Sequence, residues 1–175
     1  MNVAGVSRRS EPIDVSNDDI DLAIDLKLRA SVEITKAAVP LLRERGGGSI
    51  IFISGLSHVH THVFHGSGCI PNAALAAYKH QLAKRVAPDG IRVNMLNPGA
   101  TATPRMARQT KRASELTGKT IDEVKAKRLA AIPMGRFVSA DDIATTVLYL
   151  VSDLAGSVTG SSINVDGGEC QAVRV

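Results

Sequence analysis

Tryptophan is absent from the 175-residue sequence, and aromatic residues make up only 3% of it. A base-stacking platform for single-stranded nucleic acid is therefore not expected, and the core must be aliphatic. Two cysteines, Cys69 and Cys170, are too few for a disulfide framework and point to a reducing compartment, the cytoplasm. No apolar run approaches the roughly 20 residues of a membrane helix. Met1 is not followed by the apolar stretch of a secretory leader. Neither nucleic acid nor a membrane is an expected partner.

What is present suits one globular domain over residues 1–175, with 44% hydrophobic and 22% charged residues and a formal net charge of +4. The positive charge is local. Residues 105–128 carry eight bases (Arg105, Arg108, Lys111, Arg112, Lys119, Lys125, Lys127, Arg128) against three acids (Glu115, Asp122, Glu123). The segment reads as a solvated helical face or as a surface for an anionic ligand.

Helix-like and strand-like segments alternate, which predicts the α/β class with a parallel sheet. A short strand is expected over Met1–Val6. Ser16 reads as an N-cap with Asp19 at the third helical position. Apolar spacing then carries a helix to about Arg45, where Gly46-Gly47-Gly48 stops it. Ser49–Ser54 is a β-branched strand run followed by a polar, histidine-rich loop. An alanine-rich helix is expected from about Asn72 to Ala87, a strand over Ile91–Leu96, and one or two helices over 103–130. Ser139 and Asp142 form a capping box that opens a helix to about Ser152, and Ser162–Val165 is the last strand.

Several of these stretches together resemble the short-chain dehydrogenase/reductase family. Asn2-Val3-Ala4-Gly5 is similar to the family's NNAG motif after its fourth strand. Ala87–Asn94 with Asn97-Pro98-Gly99 resembles its sixth strand and PG motif. Pro133–Arg136, Asp141–Ile143, Val158–Gly160 and Val165–Gly168 resemble its C-terminal signature. The likeness spans essentially the whole chain. It implies a Rossmann-type, doubly wound parallel sheet and hydride transfer between NAD or NADP and a small carbonyl or alcohol. Asn2, Ala4, Gly5, Pro98, Gly99, Thr101 and Thr103 would touch the cofactor; Thr101 and Thr103 also suit a helix N-cap before Pro104.

The family's first strands and its glycine-rich turn (TGxxxGxG) have no counterpart in the 175 residues. The resemblance thus implies a partial Rossmann sheet, N-terminally truncated, corresponding to the C-terminal part of the family domain. An unpaired strand edge would favour a homo-oligomer or pairing with a related full-length chain.

The family's Asn, Ser, Tyr and Lys positions fall here, by ungapped counting, on Asp25, Gly55, Gly68 and Asn72. A glycine cannot transfer a proton and an asparagine supplies no cation, so Tyr–Lys chemistry is not expected of this chain alone. Ser54, Ser57 and His65 are the substitute catalytic candidates. Tyr78 and Lys79 are adjacent and do not share a helical face. In the loop, His58, His60 and His62 are weak metal candidates, with an exposed loop as the plain alternative. Three functional readings follow: an oxidoreductase of this family, a non-catalytic scaffold or partner subunit, and a repurposed histidine-loop site.

Overall fold

The computed structural model describes Met1, residues 10–61 and 63–170, with residues 63–65 described by their backbone alone. The strand expected over Met1–Val6 lies outside the described residues, as do Asn2, Ala4, Gly5 and His62 and the side chain of His65.

Three parallel strands form the described sheet: β1 (Gly48–Ile53), β2 (Ile91–Pro98) and β3 (Ser162–Val165), in the order β1-β2-β3. Gly48 pairs with Ile91 through to Ile53 with Leu96, and Met95 pairs with Ser162 through to Pro98 with Val165. Strand alternation gives the sheet two apolar faces. Phe52, Val93 and Met95 pack with Val39, Leu75, Ala83 and Val86 on one face. Ile51, Ile53 and Leu96 pack with Leu150 and Ala155 on the other. Helices cover both faces: α3 (Cys69–Val86) supplies Leu75, Ala83 and Val86, and α6 (Ala140–Val151) supplies Leu150. This is the expected α/β class, a parallel sheet of partial Rossmann type.

The helix expected from Ser16 to Arg45 is broken into three pieces. Ser16 caps α1 (Asn17–Ile24) by accepting from the Asp19 N–H at 3.2 Å. A π-turn over Asp25–Arg29 follows, in which the Ala30 N–H donates to the Asp25 carbonyl, and then α2 (Ala30–Glu44). The wide turn holds one residue more than an α-turn. Ser31, Thr35 and Val39 keep the four-residue spacing that buries one stripe of α2.

Helix α3 begins at Cys69, three residues before the expected start, because Pro71 sits in the first turn where an N–H has no partner to lose. The basic segment is two helices, α4 (Pro104–Thr117) and α5 (Ile121–Leu129). Seven of its eight bases are exposed. The eighth, Arg128, donates to Thr110 Oγ1 at 3.2 Å.

Candidate active site

Parallel strands bring their carboxyl ends to one edge of the sheet, and loops after those ends build the site. Ser54 follows β1 and is held there by its N–H, which donates to the Leu96 carbonyl of β2 at 2.9 Å. Buried Leu56 anchors the 3₁₀ turn Leu56–His58 and so fixes Ser57. Across the gap stands Asn72, on the first turn of α3 and buried.

The three side chains form one directional relay. The Ser54 hydroxyl donates to Asn72 Oδ1 at 3.0 Å, and Asn72 Nδ2 donates to Ser57 Oγ at 2.7 Å. The Ser57 oxygen already accepts, so its own proton is left to donate to a further acceptor. Two of the sequence candidates, Ser54 and Ser57, are therefore brought together, and Asn72 joins them.

Gly55, between them, is extended (φ 172°), and a Cβ added there would stand 3.7 Å from Asn72 Nδ2, an ordinary contact. The position thus has room for a side chain. Gly68 is the residue before α3 and is buried. His58 is tied down locally, its Nδ1 lying 2.8 Å from the Gly55 carbonyl, while His60 is exposed. Among the described residues no three His, Cys, Asp or Glu side chains gather as a metal site.

Asp25 does not turn into this relay. It is exposed and bonded to Arg29, one helical turn on. Lys27, in the middle of the π-turn, reaches the end of β1 instead, with Nζ 3.5 Å from the Ser54 carbonyl. Burial, and after it the Arg105 guanidinium, brings its pKa down from 10.5 to about 8. Sequence reasoning missed Lys27, since a lysine on an amphipathic helix reads as surface and a π-turn has no sequence signature.

Tyr78 and Lys79 diverge as their adjacency requires. Tyr78 packs against Phe52 with ring centroids 6.2 Å apart, and burial raises the pKa of its hydroxyl. Lys79 is fully buried and donates to the Gly160 carbonyl at 2.5 Å and to Ser162 Oγ at 2.9 Å. Both are structural: one holds α3 to β1, the other holds it to β3.

The loop after β2 is almost closed on itself. Gly99 N–H donates to the Val165 carbonyl, Ala100 N–H to Glu169 Oε2, Ala102 N–H to the Val138 carbonyl and Val138 N–H to the Ala100 carbonyl. Thr101 Oγ1 donates to the Gly99 carbonyl at 2.9 Å. Thr103 caps α4, accepting from the Met106 N–H at 3.3 Å. The Thr101 N–H takes part in none of these bonds. Pro98 ends β2, and Gly99 admits no side chain, since a Cβ would lie 2.7 Å from Asp166 Cβ.

Comparison with known proteins agrees with this fold. Residues 1–169 match a family described as enoyl-(acyl carrier protein) reductase. The chain is 28% identical over 168 residues to a 3-oxoacyl-(acyl-carrier-protein) reductase of Thermotoga maritima, covering 96% of this chain and 64% of that protein. It is 31% identical over 171 residues to a 3alpha-hydroxysteroid dehydrogenase of Mediterraneibacter gnavus, covering 95% of this chain and 62% of that one. Among solved structures it is similar to L-sorbose reductase from Gluconobacter frateurii, complexed with NADPH and L-sorbose: TM-score 0.92, 28% identity, 98% of this chain and 66% of that one. The chain belongs to the short-chain dehydrogenase/reductase family, whose members are NAD(P)-linked oxidoreductases. It spans less than two thirds of the length of the curated relatives named here.

Proposed function

We propose that this chain carries the carbonyl-binding side of an NAD(P)-linked oxidoreductase acting on a small carbonyl or alcohol, with its oxygen held by Ser57. The observation that carries the reading is the direction of the Ser54–Asn72–Ser57 relay, in which the Ser57 oxygen accepts and its proton is left to donate. Thr101, with Pro98 and Gly99 shaping its loop, would hold the nicotinamide end of NAD or NADP; when bound, that ring gives or takes the hydride. Asn2, Ala4 and Gly5 remain expected cofactor contacts by the resemblance.

Gly68 and Asn72 in the Tyr and Lys positions favour a second reading, a non-catalytic partner subunit. On either reading the 175-residue chain alone does not reduce ketones by Tyr–Lys chemistry. Exposed Leu22, Leu26, Ile34 and Leu41 on α1, the π-turn and α2 suit a homo-oligomer or a related full-length chain. No helix among the described residues is long and apolar enough to cross a membrane. Free Cys69 and Cys170 suit the cytoplasm.

The test is titration with a small ketone followed by amide NMR. Shifts centred on Gly55, Ser57 and Asn72, weakened several-fold by Ser57→Ala, are expected. Shifts elsewhere overturn the oxygen site. Calorimetric titration with NADH and NADPH tests the cofactor, and steady NADPH oxidation with a ketone by the wild-type chain sinks the claim of no Tyr–Lys-type turnover.

A further inference from the structure

The amine of Lys27 is a basic group beside the site that the relay does not use. Its Nζ lies at the carboxyl end of β1, 3.5 Å from the Ser54 carbonyl, so it borders the residue that opens the Ser54–Asn72–Ser57 relay. The π-turn presents it there. Among the described residues no carboxylate forms an ion pair with it; the nearest acid on its own turn, Asp25, is taken by Arg29. The charged group that acts on it from another element is a second cation, Arg105, exposed in the first turn of α4. A lysine that is desolvated and set beside another cation keeps a usable fraction of neutral, nucleophilic amine near pH 7, where a surface lysine keeps almost none.

We propose that Lys27 is a nucleophilic amine that condenses with an aldehyde or ketone bearing an anionic group, which Arg105 receives. The nitrogen lone pair attacks the carbonyl carbon, and the carbonyl oxygen takes up a proton to give a carbinolamine. Loss of one water leaves the carbon doubly bonded to Nζ as an imine. No oxidant or reductant is consumed. Arg105 keeps its charge throughout and so holds the carboxylate or phosphate after the amine has lost its own charge. The inference rests on the reading of this edge as a carbonyl site, but it needs neither dinucleotide nor turnover.

Pyridoxal 5′-phosphate, an aldehyde with a phosphate, is a suitable probe, with 5′-deoxypyridoxal, which lacks the phosphate and cannot close to a hemiacetal, as its counterpart. The whole chain is incubated with either at pH 7.5, reduced with borohydride to fix the imine as a secondary amine, digested and mapped by mass spectrometry. Lys27 is expected to be labelled more than tenfold faster than exposed lysines such as Lys36 and Lys84. The phosphate-bearing probe should outpace 5′-deoxypyridoxal several-fold at Lys27, and Arg105→Gln should remove that preference while leaving the 5′-deoxypyridoxal rate within twofold. Labelling of Lys27 no faster than that of Lys36 overturns the nucleophile. Equal rates for the two probes, or a preference that survives Arg105→Gln, overturn the anionic substrate class. Loss of this labelling with the ketone shifts at Ser57 intact would leave the carbonyl site standing, so the two readings fail separately.

Discussion

Glu169 and Ala100 are joined by a hydrogen bond of 2.9 Å from the backbone N–H of one to the carboxylate of the other. The bond closes the segment after β3 onto the loop after β2 and leaves Gly99 between them with no room. A methyl group at Gly99 would stand 2.7 Å from both Asp166 Cβ and Glu169 Oε2. Gly99→Ala should therefore cost about 1–3 kcal/mol of stability. Urea unfolding checks it; an unchanged midpoint would mean that the 166–169 segment yields freely.

Lys27 ties stability to pH. Its folded-state pKa of about 8 lies below the ordinary 10.5, so above pH 8 the folded chain gives up a proton that the unfolded chain retains. Unfolding then costs more as pH rises through that window, by up to about 3 kcal/mol at its upper end. The burden of the buried charge is fully present below pH 8. Lys27→Met should flatten this part of the stability curve and raise stability at pH 7. Parallel curves for the two proteins between pH 8 and 10.5 would contradict it.

Asn72 bridges two serines with both ends of its amide. Asn72→Leu keeps the branching of the side chain and removes both bonds, so a loss of about 1–3 kcal/mol is expected. The variant should also lose the ketone-induced shifts at Ser57, because nothing then fixes that hydroxyl. Thermal unfolding together with the NMR titration separates the two effects; full retention of both would detach Asn72 from the site.

Ser139 and Asp142 cap α6 reciprocally, at 3.0 Å and 2.8 Å. Arg136, and after it Ser139, hold the Asp142 carboxyl well below the usual carboxylate range. Its stabilising effect is thus present from the ordinary aspartate range upward and is lost only as pH falls below that range. Ser139→Ala should cost about 1 kcal/mol at neutral pH, measured by chemical denaturation. Equal midpoints would assign the helix start to tertiary packing instead.

The legible parts of this fold are those fixed by local chemistry. The caps at Ser16, Thr103 and Ser139 each satisfy a nearby N–H, and their sequence neighbours reveal them. The strand runs at Ile50 and Val93 declare themselves by β-branching. Ser54 and Ser57 are reached through the resemblance, since they lie close to Gly55, where the family's Ser position falls. The illegible parts depend on distance in space. Counting sets Asn72 at the family's Lys position, but its bonds to both serines show only once β1 is placed opposite it. Lys79 reads as a surface base, yet it is buried against Gly160, more than eighty residues away in sequence. Lys27 needed the π-turn, which no residue pattern announces.

The π-turn over Asp25–Arg29 makes α1 and α2 behave as two helices spliced with one residue to spare. A regular α-helix advances about 100° per residue, so deleting a single residue from the splice would turn everything on its amino-terminal side by that angle. Ala23, now buried, would leave the face it shares with Ser31, Thr35 and Val39. The Lys27 amine would swing away from the end of β1. The spare residue therefore acts as a phase setting: one helix face is tuned to the core and the turn itself to the reach of Lys27 toward the end of β1, and a frame-preserving one-residue deletion would detune both at once.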